Sequence, residues 1–352
     1  MRGRPGRGGL AAVAAVVALA STAPLTRAGA QSLPHVLVIA TGGTIAGQAT
    51  GGQLTGEQII DAVPGLADVA TIEVVEFSRI GSSSMTPDHW LRLSRLVNER
   101  FDADRSLAGI IVTHGTDTME ETGYFLHLTV ADLRPVVMVG SMRNSSAVSA
   151  DGPANVLSAA RVAASSQAQG MGVLVVLNDA VHSARDVRKM DNNRVDTFRS
   201  TEWGALGVVD ADQVVFRRSL VNRHTVISDL HLAPNVDELP DVPIVADYAG
   251  SDGAGVAAAV ARGAAAVVVQ AFGGGRPSPG MRAAIADATA AGVLVVLTSR
   301  VPEGRVLRAM SNPDGGVVAA GDLSPHKARV LTMVALAKGA GSEELQRLFD
   351  TH

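Results

Sequence analysis

Residues 109–121 constrain the fold of this chain more than any other stretch, because a short apolar run there breaks into a hydroxyl-and-carboxylate turn and then opens a helix. The run 110–112 is β-branched and does not alternate with polar residues, which predicts a strand buried on both faces, as in a parallel sheet with helices above and below. Thr118 and Glu121 fit a capping box, so we expect the next helix to begin at about Met119. The stretch therefore predicts an α/β fold.

Thr116 and Asp117 lie between the predicted strand and the predicted helix, at the carboxyl edge of the sheet. Open α/β sheets bind ligands at this edge, and a ligand carboxylate there would meet the free backbone N–H groups of the helix start. The alternative is a turn that only caps the helix. A cap needs one such residue, whereas Thr116, Asp117 and Thr118 stand in a row, so Thr116 and Asp117 are predicted site residues.

A second polar turn follows residues 35–40, which predict an apolar strand that ends in the sequence TGGTIAG (41–47). Two adjacent glycines allow the backbone to turn sharply or to approach a ligand closely. Thr44 is expected at the carboxyl end of this strand, as Thr116 is at the end of its own. Dinucleotide binding is an alternative, with Asp61 at roughly the ribose-binding distance, but the spacing is not GxGxxG.

Serines and a charged run mark further turns. A hydroxyl-rich turn at 81–85 contains Ser82 and Ser83, and Ser141 follows another apolar run; such serines are by themselves typical of solvated turns. The charged residues 185–189 are likewise typical of a solvated surface. Further elements are predicted in chain order: a capped helix from Thr55 to about Val63, a strand over 70–77, a helix from Pro87 to about Arg100, a buried strand over 135–140, a helix over 154–165, a strand over 172–177 and a polar loop over 178–193.

The chain is long enough for two domains of ordinary size, and we expect a larger N-terminal flavodoxin- or Rossmann-like sheet and a smaller C-terminal parallel-sheet domain. Their predicted bounds are 32–218 and 240–352, joined by a loosely patterned linker over 219–239. Hydrophobic residues make up 47% of the chain and aromatic residues 3%, a balance that fits α/β layers. In the second domain strand and helix patterns alternate at 243–247, 255–262, 265–271, 278–291 and 293–298, before helices at 326–338 and 342–350.

Residues 1–30 are interpreted as a secretory signal peptide, because arginines precede the apolar run 10–20 and Ala28-Gly29-Ala30 forms a small-x-small cleavage site. A membrane anchor is the weaker alternative, since the run is about half of the ~20 residues that span a bilayer. We therefore expect a periplasmic or secreted protein. Cleavage removes four arginines and no acidic residue, which takes the formal charge from −4 to −8. This charge disfavours nucleic acid and anionic membranes as partners.

The chain has no cysteine, which excludes disulfides, thiol nucleophiles and thiolate metal sites. Lysine is rare: Lys189, Lys327 and Lys338 stand against 27 arginines. A lysine at a site therefore draws attention, because arginine cannot be deprotonated and so cannot act as a base. The sequence contains no HExxH motif and no P-loop, so it implies neither a metal nor another cofactor.

Six segments taken together resemble the bacterial type II L-asparaginase family, which includes the asparaginase-glutaminases. The match runs in order along essentially the whole mature chain, and TGGTIAG combined with GTDTMEET is highly specific. The segments are ATGGTIAG (40–47), THGTDTMEET (113–122), PVVMVGSMR (135–143), SADGP (149–153), NDAVHSARDVRK (178–189) and SPHKARVL (324–331).

The resemblance implies roles for particular residues. The family's nucleophilic threonine falls on Thr44, its second site threonine and neighbouring aspartate on Thr116 and Asp117, its site lysine on Lys189, and the serine that holds the substrate's α-carboxylate on Ser82. Ser83 and Ser141 are further predicted substrate-binding residues, and Ser83 stands where asparaginase-selective members often have glutamine. The resemblance also implies a homotetramer built from intimate dimers, in which the second domain of one subunit closes the site of its neighbour.

The residue types suit this chemistry. Amide hydrolysis through a covalent step needs a hydroxyl made nucleophilic by a neighbouring base, and a lysine-paired hydroxyl is a known form of that arrangement. Asp117 offers the negative charge that a substrate ammonium needs, while Thr116, Ser82 and backbone N–H groups suit its carboxylate. The resemblance therefore implies hydrolysis of L-asparagine to L-aspartate and ammonia, with L-glutamine as a second substrate.

Three departures from the family concern activation of the nucleophile. The family's mobile loop after TGGTIAG acts as a lid that carries a tyrosine, whereas residues 47–53 are about eight residues shorter and contain none. Gly250 stands where many members have an asparagine after a Tyr-Ala pair, and 305–314 offers no clear counterpart of a glutamate that a neighbouring subunit contributes. Two alternatives therefore stay open: a catalytically impaired binding or sensing protein for acidic amino acids on the same scaffold, and an unrelated two-domain solute receptor.

Overall fold

A computed structural model describes residues 32–48 and 51–352, so the predicted signal peptide and Thr50 lie outside the described residues. None of the helices in the described ranges is long and apolar enough to cross a membrane. The N-terminal part contains strands β1 (His35–Ala40), β2 (Thr71–Glu76), β3 (Leu107–Thr113), β4 (Val136–Val139), β5 (Val173–Leu177), β6 (Ala180–Ser183), β7 (Arg188–Lys189), β8 (Phe198–Arg199), β9 (Gly207–Val209) and β10 (Val214–Phe216).

Eight of these strands form one mixed sheet in the order β10-β9-β6-β5-β4-β3-β1-β2. The strands β2, β1, β3, β4 and β5 are parallel, and β6, β9 and β10 continue the sheet in antiparallel pairs. The central strand β3 is buried almost throughout because the apolar run predicted at 110–112 meets helices on both faces. The α/β prediction is therefore confirmed, with an antiparallel extension that the sequence did not show.

Helices of this part cover the sheet as α1 (Gly56–Asp61), α2 (Pro87–Ala103), α3 (Met119–Thr129) and α4 (Gly152–Ala163). The capping box of Thr55 and Gln58 is present at the start of α1. The start of α3 at Met119 is confirmed, but its predicted capping box is wrong. Thr118 makes no side-chain cap; its hydroxyl donates instead to the backbone oxygen of Ser82 at 2.8 Å. The hydroxyl that the local spacing predicts as a helix cap is therefore hydrogen-bonded to a neighbouring loop instead.

Four of the parallel strands end in one row. Ala40 of β1 is in register with Glu76 of β2 and Thr113 of β3, and Thr113 is in register with Val139 of β4. Because these strands are parallel, the turns that follow them all emerge at the same edge of the sheet. This row places the turns that contain Thr44, Ser82, Thr116 and Ser141 side by side.

The interpretation of 178–193 as a polar loop is wrong. The segment contains β6, a turn and β7, which pairs with β8 in a separate two-stranded ribbon. Its charged residues are also largely buried, since the Arg185 side chain is 6% exposed and that of Asp186 is 8% exposed. Arg185 pairs with Asp322 in the C-terminal part of the chain, a partner that a local sequence pattern does not reveal.

The C-terminal part is built on a second sheet, parallel throughout, in the order β11-β12-β13-β14. The predicted alternation of strands and helices is confirmed there, and β14 is an additional strand. The elements are β11 (Ile244–Ala246), α5 (Ala254–Ala261), β12 (Ala266–Ala271), α6 (Pro279–Ala290), β13 (Leu294–Ser299), β14 (Val317–Ala319), α7 (Pro325–Ala337) and α8 (Ser342–Thr351).

A hydrophobic cluster joins the two sheets. Trp90 of α2 and Phe125 of α3 pack with residues of the second sheet and of α7, including Val268 and Leu331. Residues 219–239 between the two parts contain a short 3-10 helix at Thr225–Ile227. The domain bounds at 218 and 240 stay a prediction. Helix α7 thus lies against α3, the helix that follows the turn with Thr116 and Asp117.

Candidate active site

The turns after β1 and β3 are in backbone contact. Gly43 has a φ of +88°, and a Cβ built on it would lie 2.4 Å from both the backbone nitrogen and the Cα of Gly115. Any side chain at position 43 would therefore displace the second turn, and the left-handed conformation independently favours glycine. Thr44 and Thr116 each follow one of the touching glycines. The structure thus brings the turns of the two predicted site threonines together.

Lys189 reaches the turn after β3 from the ribbon of β7 and β8. Its Nζ donates to Thr116 Oγ1 at 2.9 Å and to Asp117 Oδ1 at 2.7 Å. Thr116 is only 5% exposed, whereas the side chain of Asp117 is 65% exposed and that of Lys189 is 18% exposed. The ion pair is therefore partly solvated at its carboxylate end and enclosed at its hydroxyl end. Three predicted site residues form one hydrogen-bonded unit.

Ser82 connects the turn after β2 to this unit. Its buried hydroxyl accepts from the backbone N–H of Asp117 at 3.2 Å. A Cβ on Gly115 would lie 2.6 Å from Ser82 Oγ, so only glycine leaves room for the serine there. Ser83 is the next residue and is exposed. Ser82 is consequently part of the assembled site, not the solvated turn residue that its local sequence indicates.

Thr44 is half-buried and differs from Thr116 in its bonding. In the described part of the chain its hydroxyl makes no hydrogen bond, although its backbone oxygen accepts from Gly47 N–H at 3.0 Å. The short segment after it folds back on itself: Gln48 N–H donates to the oxygen of Gly52 at 2.9 Å. The backbone N–H and the hydroxyl of Ser145 donate to the oxygen of Gly47 at 3.0 Å and 2.8 Å. The segment is thereby tied to the loop after β4.

Ser141 is buried in that loop, and its hydroxyl donates to the backbone oxygen of Arg143 at 2.7 Å. Asp151 organises the same loop, because its carboxylate accepts from the backbone N–H groups of Met142 at 2.9 Å and Arg143 at 2.8 Å. Asn155 Nδ2 donates to the same carboxylate at 3.0 Å. The structure therefore places Ser141 at the predicted edge with its hydroxyl already satisfied by its own loop.

His114 lies beneath the site between Thr113 and Gly115. Its ring is fully buried, with Nδ1 at 2.7 Å from the oxygen of Gly115. Its Nε2 has no hydrogen-bond partner among the described residues. Burial lowers the pKa of His114 to about 4, against the opposing effect of the Gly115 hydrogen bond. The ring is therefore neutral at pH 7 and adds no charge to this edge of the sheet.

Sequence reasoning missed several residues that support the site. Glu120 Oε1 accepts from the backbone N–H of Lys189 at 3.4 Å. Arg185 and Lys327 hold the chain just before Lys189, as shown below. The rarity of lysine is a signal that could have drawn attention to Lys327, since it is one of three in the chain. Nothing in the local pattern distinguishes Arg185 from other surface arginines.

This arrangement combines the amine of Lys189, the carboxylate of Asp117 and the hydroxyls of Thr116 and Ser82. The carboxylate can bind a cationic amino group, and the serine and threonine hydroxyls with backbone N–H groups can bind an anionic carboxylate. Hydroxyls beside an amine that can act as a base are the parts of a nucleophilic hydrolase. The geometry thus fits a zwitterionic amino acid with a hydrolysable bond.

Comparisons with known proteins agree with this geometry. Residues 35–222 match the model of the asparaginase N-terminal domain, and residues 241–349 match that of the glutaminase/asparaginase C-terminal domain. The chain is 38% identical to L-asparaginase 2 of Bacillus subtilis strain 168, over 92% of this chain and 88% of the relative. It is 39% identical to glutaminase-asparaginase of Pseudomonas fluorescens biotype A, over 90% of each.

The fold is also similar to that of a solved asparaginase. The crystal structure of a probable cytoplasmic L-asparaginase from Campylobacter jejuni superimposes with a TM-score of 0.86 and 36% identity, over 92% of this chain and 100% of that one. Both family models together span nearly all of the residues from the first strand to the last helix. With its site at the shared carboxyl edge, the chain belongs to the asparaginase/glutaminase family and is an amidohydrolase.

Proposed function

We propose that this protein hydrolyses L-asparagine to L-aspartate and ammonia, in asparagine catabolism, with Thr44 as the nucleophile. The observation that carries the proposal is the unit of Lys189, Thr116 and Asp117, in contact through Gly115 and Gly43 with the turn of Thr44. A hydrolase of this family needs a substrate-binding charge and a paired hydroxyl in one place, and this unit supplies both.

In the proposed reaction Thr44 Oγ1 forms a bond to the side-chain amide carbon of the substrate. The hydroxyl proton passes to a neighbouring base, and the carbon–nitrogen bond breaks as the leaving nitrogen takes up a proton and departs as ammonia. Water then attacks the resulting ester, giving the aspartate carboxylate and restoring the threonine hydroxyl. Asp117 binds the substrate ammonium, Ser82 and backbone N–H groups bind its α-carboxylate, and Lys189 serves the proton transfers with Thr116.

The bonding pattern also favours a second assignment of the nucleophile. Thr116 is the threonine whose hydroxyl is 2.9 Å from an amine, whereas the hydroxyl of Thr44 has no such partner in the described ranges. Position relative to Lys189 therefore supports Thr116, and correspondence with the family supports Thr44. The variant Thr44→Ala decides between them, as described in the Discussion.

The deciding experiment measures ammonia released by the purified mature protein from L-asparagine, L-glutamine and D-asparagine. We expect release from L-asparagine, slower release from L-glutamine and the least from D-asparagine. Activity on L-glutamine is expected because the short 47–53 segment crowds a longer side chain less, and because Ser83 stands where glutamine is often found. Tight binding of L-aspartate without any ammonia release would support the alternative of an acidic amino-acid binding or sensing protein.

We also propose a homotetramer of intimate dimers and export of the mature chain to the periplasm or medium. A relative from Haemophilus influenzae strain Rd is called a probable periplasmic L-asparaginase, at 38% identity over 92% of this chain, while the Campylobacter jejuni neighbour is called cytoplasmic. Light scattering tests the assembly, and a stable active monomer would refute it. Cell fractionation of the full chain against one lacking residues 1–30 tests the export.

A further inference from the structure

Lys327 is a buried cation that the proposed reaction does not use. It lies in the first turn of α7 and is 1% exposed. Its Nζ donates to the backbone oxygen of Arg185 at 2.7 Å and to that of Val187. These two carbonyls belong to the segment that leads directly into β7. A lysine from the C-terminal part of the chain therefore holds the backbone that carries Lys189.

The same segment is held a second time, by Arg185. Its guanidinium donates two hydrogen bonds to the Asp322 carboxylate, at 2.9 Å and 2.8 Å, and its Nε donates to the backbone oxygen of His352 at 2.6 Å. Burial alone would lower the pKa of Arg185, but the hydrogen bonds to Asp322 raise it above its ordinary value. The pair is therefore charged, and the segment 185–187 is fixed at both ends of its length.

The charge of Lys327 is set by its surroundings. Burial lowers the pKa of Lys327 to about 8, although the carboxylates of Glu120 and Asp186 raise it; Arg188 and Arg185 lower it further. At pH 7 the ammonium form prevails, and hydrogen bonds from a charged donor are about twice as strong as neutral ones. An apolar residue at this position would leave two buried carbonyl oxygens without donors.

We propose that Lys327 is a positioning residue that sets the place of Lys189 opposite Thr116 and Asp117. Lys189 lies two residues beyond Val187, so its Nζ depends on where that backbone is held. A misplacement of about 1 Å of a reacting group can cost about 10²-fold in rate. The inference rests on the proposed function, because it assigns Lys189 a part in turnover.

The first test compares two substitutions of Lys327. Lys327→Met removes both hydrogen bonds and should lower kcat for L-asparagine about 30-fold or more, with KM within about threefold, because substrate groups are still bound. Lys327→Gln keeps two N–H donors on a shorter side chain and should recover at least about fivefold of the lost kcat. A kcat within twofold of wild type in Lys327→Met would overturn the proposal.

A matched control separates positioning from loss of stability. Met333 lies on the same helix and is 2% exposed, and its side chain packs in the hydrophobic cluster between the two sheets. Unlike Lys327, it is not hydrogen-bonded to the described segment 185–187. Met333→Ala should lower the thermal unfolding temperature by an amount comparable to Lys327→Met yet change kcat by less than about twofold. If both variants lose kcat equally at equal stability, Lys327 has only a structural role.

The second test measures the surroundings of the Lys189 side chain by NMR and does not depend on turnover. Because the chain has three lysines, protein labelled with ¹³C at lysine Cε gives three side-chain signals, assigned by Lys→Arg replacement. The Lys189 signal should shift in Lys327→Met and stay in place in Met333→Ala. If wild type releases no ammonia, the proposed function fails while this measurement still decides the inference. If wild type is active and the Lys189 signal does not move, the positioning role is wrong.

Should Lys327→Met not give folded protein, Asp322→Asn tests the premise of the proposal, that displacing the segment 185–187 moves Lys189, through the Arg185 ion pair. The variant keeps the shape of the side chain but removes the charge that faces Arg185. It should shift the Lys189 signal and lower kcat by about tenfold, in line with a displacement smaller than ~1 Å. An unchanged signal together with an unchanged kcat would overturn the proposal.

Discussion

The turn after β3 and the turn after β1 supply hydroxyls to the same edge of the sheet, yet they are held in different ways. Thr116 Oγ1 accepts from Lys189 Nζ, which also donates to Asp117, and the backbone N–H of Asp117 donates to Ser82. The backbone that leads to Lys189 accepts from Lys327 in the C-terminal part. Thr44 lies in a short self-contained turn, and in the described ranges its hydroxyl has no partner. The binding half of the site is thus assembled in the free chain, whereas the proposed nucleophile still needs an activating group.

The largest effects are expected where the two halves meet. Thr44→Ala and Lys189→Met should each lower kcat by about 10³-fold or more while leaving substrate binding measurable, because a nucleophile and its base act mainly in the transition state. Steady-state ammonia release and L-aspartate binding by calorimetry measure the two quantities. If Thr44→Ala keeps more than about a tenth of the wild-type kcat, a loss under ~1.4 kcal/mol, the nucleophile is Thr116 instead.

A loop graft should supply the activating group that the turn of Thr44 lacks. Inserting the missing residues with their tyrosine into 47–53 should raise kcat for L-asparagine by about 10² to 10³-fold, since a single preorganised hydrogen-bonding group has that effect. A longer lid also excludes water better. The matched control is the same graft with phenylalanine in place of the tyrosine, which should recover only part of the gain. A native protein that is already fast, and is unchanged by the graft, would show that another group activates Thr44.

Acid should lower the stability of the fold through His114, which is buried beneath the turn after β3. The pKa of His114 is about 4 in the folded chain because of burial, against about 6.5 unfolded. Between these values the unfolded chain binds more protons, so the free energy of unfolding falls as pH drops from 6.5 to 4. The loss from this residue is about 3 kcal/mol at most. Urea unfolding of wild type and His114→Gln at pH 7 and pH 4.5 measures it; equal pH dependence in both proteins would contradict the prediction.

The smallest effect is expected at the solvated end of the network. Asp117→Ala should raise KM for L-asparagine by about tenfold or more, because a charge-assisted hydrogen bond contributes about 1.5 to 3 kcal/mol and faces a charge already present in the bound substrate. Asp88→Ala, which removes an exposed carboxylate of α2, is the control and should leave KM unchanged. A KM that stays at the wild-type value in Asp117→Ala would remove this residue from substrate binding.

Much of the fold could be predicted because its signals are local. The apolar run at 110–112 became the central strand β3, and the residues after it open α3 at Met119 as expected. Parallel strands send their following turns to one edge, so the predicted strand ends placed Thr44 and Thr116 at the same edge, whereas Ser82 and Ser141 were assigned to the site through the family resemblance. The capping box at Thr55 was predictable because it is local: its two hydrogen bonds join residues that are three positions apart.

The errors share one cause, which is a partner far away in the chain. Local spacing predicted that the Thr118 side chain caps its own helix, but its hydroxyl donates to the backbone oxygen of Ser82, 36 residues earlier. The run 185–189 has the composition of a solvated surface, yet the Arg185 guanidinium pairs with Asp322 across 137 residues. The backbone oxygen of Arg185 accepts from Lys327 across 142 residues. A buried ion pair has no local pattern, because the two charges satisfy one another only after the parts of the chain have packed together.

The sequence by itself therefore determined the parallel strands β1 to β5 and β11 to β13, most helix starts, the polar turns at the strand ends and the family. Each of these depends on residues within a few positions of one another or on short ordered motifs. The tertiary structure alone decided which hydroxyl Lys189 contacts, how the short turn after Thr44 is tied to Ser145, and that Lys327 holds the segment before Lys189. Those outcomes depend on how distant segments pack, and packing brings together groups whose separation in the sequence carries no information about their distance.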